Sequence, residues 1–220
     1  MGEARIFLGA TPDQRRERRR EALVESAFDL LQEGGLVAVG VRSVSQRASL
    51  NTRYFYESFA SVDDLLIFML QGLFADVLAR GMSALREGGL TDVQKASDDD
   101  ILTQFRHGLR VALTVALDDP RKLALLTAAN ASVGRVRQEM RAMVLRLADV
   151  IAGYAGAKEI GIDKATALFI AGGIVEVALA HVAGDLSVAR KELIERMARI
   201  TLGAINGSRA GIKKRAKKRP

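Results

Sequence analysis

Cysteine is absent from the chain, and with it go disulfide frameworks, Cys-based zinc sites and thiol catalysis. Tryptophan is absent too. Proline occurs three times and aromatic residues make up 5% of the chain, which argues against a many-turned β protein. No stretch alternates apolar and polar residues, and no internal repeat is visible. The segment Met1 to Pro12 holds only a short Ile6-Phe7-Leu8 triplet, well short of the apolar region of a secretory signal. One apolar run, Ala165 to Gly184, is long enough to cross a membrane. Glu176 and His181 interrupt it, and a central acid costs roughly 2–3 kcal/mol on insertion. A buried helix is the better reading, so a cytoplasmic protein with no membrane partner is expected.

Of the 220 residues, 49% are apolar and 27% charged, the balance of an ordinary globular chain. The net charge of +7 is localised. Arg209, Lys213, Lys214, Arg215, Lys217, Lys218 and Arg219 carry all of it, so the rest of the chain is neutral and the basic character belongs to the tail. This tail is expected to be disordered from Arg209, serving either phosphate attraction or solubility.

Start and stop signals divide the chain into helices. Thr11-Pro12-Asp13-Gln14 combines a capping Thr, Pro at the first helical position and Gln three residues after the cap; Gly34-Gly35 ends that run. Short helices are predicted over Val41–Ala48 and Thr52–Ser58, the second capped by Asn51. Ser61 with Asp64 opens a longer apolar helix. Ser97, Asp119, Ser132, Asp163 and Ser187 each read as the cap of a further helix, the last ending near Ile205. The expected fold is all-α with about nine helices. It comprises a flexible N-terminus (1–12), a three-helix helix-turn-helix bundle (13–66), a larger helical bundle (67–208) and the tail (209–220).

The stretch most informative about function is VRSVSQRASLNTRYFYESF, residues 41–59. Two short helices joined by a tight turn form a helix-turn-helix, which places its second helix in the DNA major groove. Val44, Ala48, Leu50, Phe55 and Phe59 are spaced to pack the pair together. Arg42, Ser43, Asn51, Thr52, Arg53, Tyr54, Tyr56 and Ser58 are left as candidates for DNA contact. Upstream, Arg15, Arg16, Arg18, Arg19 and Arg20 crowd into one turn and a half, where basic side chains can neutralise phosphates.

In this region the chain resembles the TetR family of transcriptional regulators. The family pattern runs from a first helix ending in Gly to a Thr-Val-Arg-Asp-Ile-Ala helix and an Ala-Gly-Val-Ser turn. A helix with Leu-Tyr-x-His/Tyr-Phe and a Ser-Lys-Glu-x-Leu start to the fourth helix follow. Those places hold Val41-Arg42-Ser43-Val44-Ser45, Ala48-Ser49-Leu50-Asn51, Phe55-Tyr56-Glu57-Ser58-Phe59 and Ser61-Val62-Asp63-Asp64-Leu65. The resemblance implies that Tyr56, Arg42 and Ser43 contact DNA backbone and that Thr52, Arg53 and Tyr54 read base edges. Three positions depart from the pattern. The fourth-helix lysine is Val62, the His/Tyr before the last Phe is Ser58, and Arg53 stands where Gly is common. The start of the fourth helix still offers backbone N–H groups to a phosphate.

The C-terminal half carries no G-x-S-x-G, H-E-x-x-H, P-loop or G-x-G-x-x-G signature, so no enzyme activity, metal or cofactor is expected. His107 and His181 read as structural or surface residues. The run Asp98-Asp99-Asp100 reads as complementing a helix dipole. Thr127 and Asn130, inside an apolar run, read either as core groups bonded to backbone or as polar points in a cavity.

The family resemblance implies that this half senses a small-molecule effector and forms a homodimer through its last two helices. Phe68, Leu73, Phe105, Leu109, Leu113, Leu126, Asn130, Met140, Met143 and Tyr154 are the lining candidates for such a pocket. Ala167, Ala171, Ile174, Val175, Ala178, Leu193, Met197 and Ile200 are the candidates for the dimer interface. The expectation is a ligand-responsive repressor, released from a palindromic double-stranded DNA operator by an apolar or amphipathic effector. A helical small-molecule-binding or adaptor protein of the same fold, without DNA recognition, is the alternative that Val62 allows.

Overall fold

A computed structural model describes residues 11–87, 97–153 and 162–216, with side chains through residue 208. All regular structure among these residues is helical. The elements are α1 (Pro12–Gly34), a single 3₁₀ turn (Leu36–Ala38), α2 (Val41–Arg47), α3 (Thr52–Ser58), α4 (Val62–Glu87), α5 (Asp98–Leu117), α6 (Pro120–Ala131), α7 (Arg135–Gly153), α8 (Lys164–Ala183) and α9 (Arg190–Ala216).

Most helices start where a capping side chain can satisfy an otherwise unpaired backbone N–H. Thr11 Oγ1 accepts from Gln14 N at 3.2 Å, and Gln14 Oε1 accepts from Thr11 N at 2.9 Å, a complete capping box. Ser97 and Asp100 form another at α5. Asp119 and Asp163 cap α6 and α8. Ser132 behaves differently from expectation. It ends α6, its hydroxyl donating to the Ala128 carbonyl at 2.7 Å, and α7 begins only after Gly134, whose φ of 68° turns the chain. Ser187 does not cap the last helix, which begins at Arg190. That helix runs beyond Ile205 to Ala216, into the stretch expected to be disordered. Lys, Arg and Ala propagate helices well, and cations near a C-terminus suit the helix dipole.

The largest core cluster belongs to both bundles at once. Leu23, Ala27 and Leu31 of α1, Val44 of α2, Phe55 of α3 and Leu65, Leu66, Met69 and Leu70 of α4 pack together with Leu125 and Ala129 of α6 and Val136 of α7. A second cluster joins α7, α8 and α9 through Ala148, Ala167, Ile170, Ala171 and Ile205. A third sets Leu109, Leu113 and Leu117 of α5 against Leu193, Ile194, Met197 and Ala198 of α9. Beside it, Arg106 and Arg199 grip Glu195, and their hydrogen bonds hold its carboxyl down to about 2.

Four expected interface residues are therefore spent inside the subunit. Ala167 and Ala171 are fully buried, and Leu193 and Met197 are nearly so. The cause lies in α8, which is apolar on every side and so carries no periodic signal to say which face turns inward. Its outward face holds Leu168, Phe169, Gly173 and Glu176; on α9 the corresponding exposed apolar residue is Ile200.

Candidate nucleic-acid interface and the cavity behind it

The α2–α3 unit is held from below by aromatic packing. Phe55 is completely buried and Phe59 nearly so. Phe55 lies 5.8 Å from Phe59, and Phe59 5.6 Å from Phe68 of α4, as tilted ring pairs. Between the two helices, Leu50 N donates to the Ser45 carbonyl at 2.9 Å, and Ser49 takes a left-handed φ of 55°. Asn51 Oδ1 then accepts from Arg53 N at 2.9 Å and starts α3. Anchoring Phe55 and Phe59 inward turns the opposite face of this short helix to solvent. Thr52 and Arg53 are exposed there, the Arg53 side chain at 83%, and Tyr56 is 61% exposed.

Other candidates stand differently. Arg42 is exposed at the start of α2. Ser43 is committed: its hydroxyl donates to the Ala38 carbonyl at 2.7 Å and accepts from Gly40 N at 2.9 Å, so it closes the N-terminus of α2 and has little left for a phosphate. Asn51 likewise spends its side-chain oxygen on the cap. Tyr54 is half-buried, with the Arg19 guanidinium 4.5 Å from its ring centre, and Ser58 is half-buried.

Sequence reading missed the hub of this surface, Glu57. Arg16 Nη2 donates to its carbonyl at 2.8 Å, Arg53 Nε donates to its carboxylate at 3.1 Å, and Arg19 Nη2 lies 3.6 Å from the other carboxylate oxygen. The i,i+4 spacing of Arg53 and Glu57 was a visible signal; the approach of α1 was not. Exposed pairs of this kind contribute about 0–1 kcal/mol each, so their effect is to fix where the cations sit rather than to hold the fold. The result is a basic surface in which α1 and α3 present arginines side by side.

The start of α4 does not offer the anion site expected of it. Ser61 Oγ accepts from Asp64 N at 3.2 Å, and the first turn carries Asp63 and Asp64. Arg135 of α7, 2.7 Å away, and the Ser61 hydroxyl hold the Asp64 carboxyl below its ordinary range. Two carboxylates with one taken N–H disfavour a phosphate there.

Behind the head formed by α1 to α3, α4 to α8 line an apolar cavity of about 220 Å³ that is partly open to solvent. Leu73, Phe105, Leu109, Leu113, Leu126, Met140 and Met143 all line it. Phe68 does not; it faces the head, where Arg20 lies 3.9 Å over its ring. Asn130 does not either. Leu125, Ala128 and Ala129 form the buried side of α6, which leaves Thr127 and Asn130 on its exposed side, and Asn130 Oδ1 accepts from Arg137 at 3.3 Å. Tyr154 lies outside the described residues. Among the described residues no three acidic or His side chains converge as a metal site.

A chain of ion pairs links the cavity wall to the head. Arg121 at the start of α6 reaches Glu25 at 2.8 Å and Asp29 at 3.5 Å on α1, and Arg47 of α2 lies 3.8 Å from the same Asp29 and pairs with Glu33.

This arrangement recurs in solved structures. A TetR-family regulator from Syntrophomonas wolfei superposes with a TM-score of 0.67 at 17% identity, over 86% of this chain and 95% of that one. A TetR-family regulator from Mesorhizobium loti gives 0.60 at 16% identity, over 88% and 97%. The chain has the TetR-family fold. A fatty acid degradation regulator from Bacillus halodurans shares it, with a TM-score of 0.63 at 15% identity over 89% and 97%. No family model and no curated protein matches the sequence itself. At such identities the likeness rests on the helical path alone.

Proposed function

We propose that this chain is a homodimeric, cytoplasmic transcriptional regulator that reads a palindromic DNA operator through α3 of each subunit and is released, as a repressor, by an apolar or amphipathic effector. One observation carries the reading. Burial of Phe55 and Phe59 forces the opposite face of α3 outward, so that Arg53 and Tyr56 are exposed beside the arginines of α1. Phosphates take the general charge; the exposed helix face supplies sequence choice. The regulators with this fold support the reading.

A single short helix touches few bases, so a two-fold pair spanning successive grooves is needed for specificity. The outward face of α8 and α9 supports such pairing. α8 is long and apolar enough to cross a membrane by composition alone, with a mean hydropathy of 1.8, yet only 17% of that window is buried in the subunit. Phe169 is 66% exposed and Ile200 62%. Gly173, Gly203 and Gly207 leave open space where side chains would stand, which suits close helix approach. Glu176 on this face argues for a protein partner over lipid. The effector reading follows from α4 and α6. α4 forms a cavity wall and continues unbroken to Val62 beside α3, while α6 holds α1 through Arg121. A ligand that prefers one placement of these helices changes the separation of the two heads.

Replacing both Phe169 and Ile200 by Glu is expected to give a folded single subunit by sedimentation. Its affinity for an operator duplex should fall by about 100-fold, because the two heads no longer bind as one unit. A variant that remained paired, or a monomer that bound equally well, would contradict the reading.

A further inference from the structure

The cavity is large for its polarity. At about 220 Å³ it exceeds the roughly 150 Å³ of an apolar cavity known to stay dry and admit benzene. Among the described residues, every one that lines it is apolar: Leu, Ile, Val, Met, Phe, Ala and Gly, without one hydroxyl, amide, imidazole or charged group. The wall is helical, so most of its backbone N–H and C=O groups are already paired with one another, those of the last turns apart. Gln104 and His181 flank wall residues in sequence but are not part of the wall. A polar or ionic group held against these wall side chains would therefore lose water and find no partner among them.

A cation is no better served. Aromatic faces can hold one, but among the described residues the wall has only Phe74 and Phe105, and the Arg146 guanidinium already lies 5.5 Å from the Phe74 ring. Met82, Met140 and Met143 supply flexible thioether surface that adapts to varied apolar shapes.

We infer that the cavity takes an uncharged molecule whose buried part is hydrocarbon throughout, larger than a single benzene ring, selected by apolar volume and against a charged head group. This deepens the regulator reading and rests on it for its biological meaning. The binding itself is measured without DNA, so failure of the two is distinguishable.

The test uses the full chain with N-phenyl-1-naphthylamine as fluorescent reporter, displaced by n-hexanol, n-octanol and n-decanol, then by decanoate and decyltrimethylammonium, at pH 7.5. Each added methylene should raise affinity about fourfold. Decanol should outcompete both ions of equal chain length by about tenfold or more. Ala116→Phe, which fills the cavity, should cost the probe about tenfold in affinity, with native helix content; if it fails to fold, Val175→Phe serves the same purpose. Either ion binding as tightly as decanol, no dependence on chain length, or a folded filled variant that binds the probe unchanged would overturn the assignment.

Discussion

Exchanging Arg53 and Tyr56 together for Ala lowers affinity for a specific operator by about 100-fold or more while leaving thermal stability nearly unchanged. Both side chains are well exposed, so their removal opens no cavity. The Arg53–Glu57 pair lost with them is an exposed contact contributing about 0–1 kcal/mol. The binding loss is larger because an Arg contact to a base edge discriminates by roughly 1–3 kcal/mol, and a dimer loses it twice. Retention on a scrambled duplex should fall much less, since the arginines of α1 still meet phosphates. Equal loss on both duplexes would make α3 a charge carrier and not a reader. Fluorescence anisotropy with the two duplexes, at fixed salt, separates the outcomes.

The largest stability effect is expected from Phe55→Ala. Its ring is wholly buried and is among the largest such side chains in the chain. Truncations of this kind cost about 3–5 kcal/mol, a large share of the roughly 5–15 kcal/mol that holds a domain folded. The shape of the transition is as informative as its midpoint. Phe55 shares a core with Leu125 of α6 and Val136 of α7, so the N-terminal head has no separate interior. The variant should therefore unfold in one transition with its midpoint lowered by roughly 10 °C. A head that melts alone, well below the rest, would show that the shared core does not couple the two parts. Scanning calorimetry distinguishes these results.

Local chemistry was legible in the sequence. Thr11, Ser97, Asp119 and Asp163 announce their helices because a side-chain oxygen beside unpaired N–H groups acts over three residues, without help from the rest of the fold. The bounds of α3 follow from Asn51 and the aromatic spacing in the same way. What failed depended on distant neighbours. Ser132 and Ser187 have the right chemistry for caps, but the chain turns elsewhere. Ser43 is used by Ala38 and Gly40 across a bend that periodicity does not show.

The candidate sites divide along the same line. Seven lining candidates converge on one cavity because amphipathic stripes on α4, α5, α6 and α7 point to a common centre. Phe68 sits on α4 near those lining residues, yet its ring is held by Arg20 and Phe59 in the head. Which face of α8 turns outward was illegible for a different reason. An all-apolar α8 gives no contrast between faces, so Ala167 and Ala171 were as plausible as Phe169 until α7 and α9 were seen to cover them. Glu57 was overlooked since its importance comes from Arg16 and Arg19, which lie on another helix, Arg16 being 41 residues away in sequence.

Selection of bound duplexes from a random pool by the full chain, followed by a salt titration on the enriched sequence, bears most directly on whether α3 reads DNA. Two inverted half-sites with centres about 34–36 Å apart, or a multiple of that, are expected, with affinity falling steeply as salt rises. A pool that shows no enrichment, or one that yields a single asymmetric site bound by a lone subunit, would contradict the account.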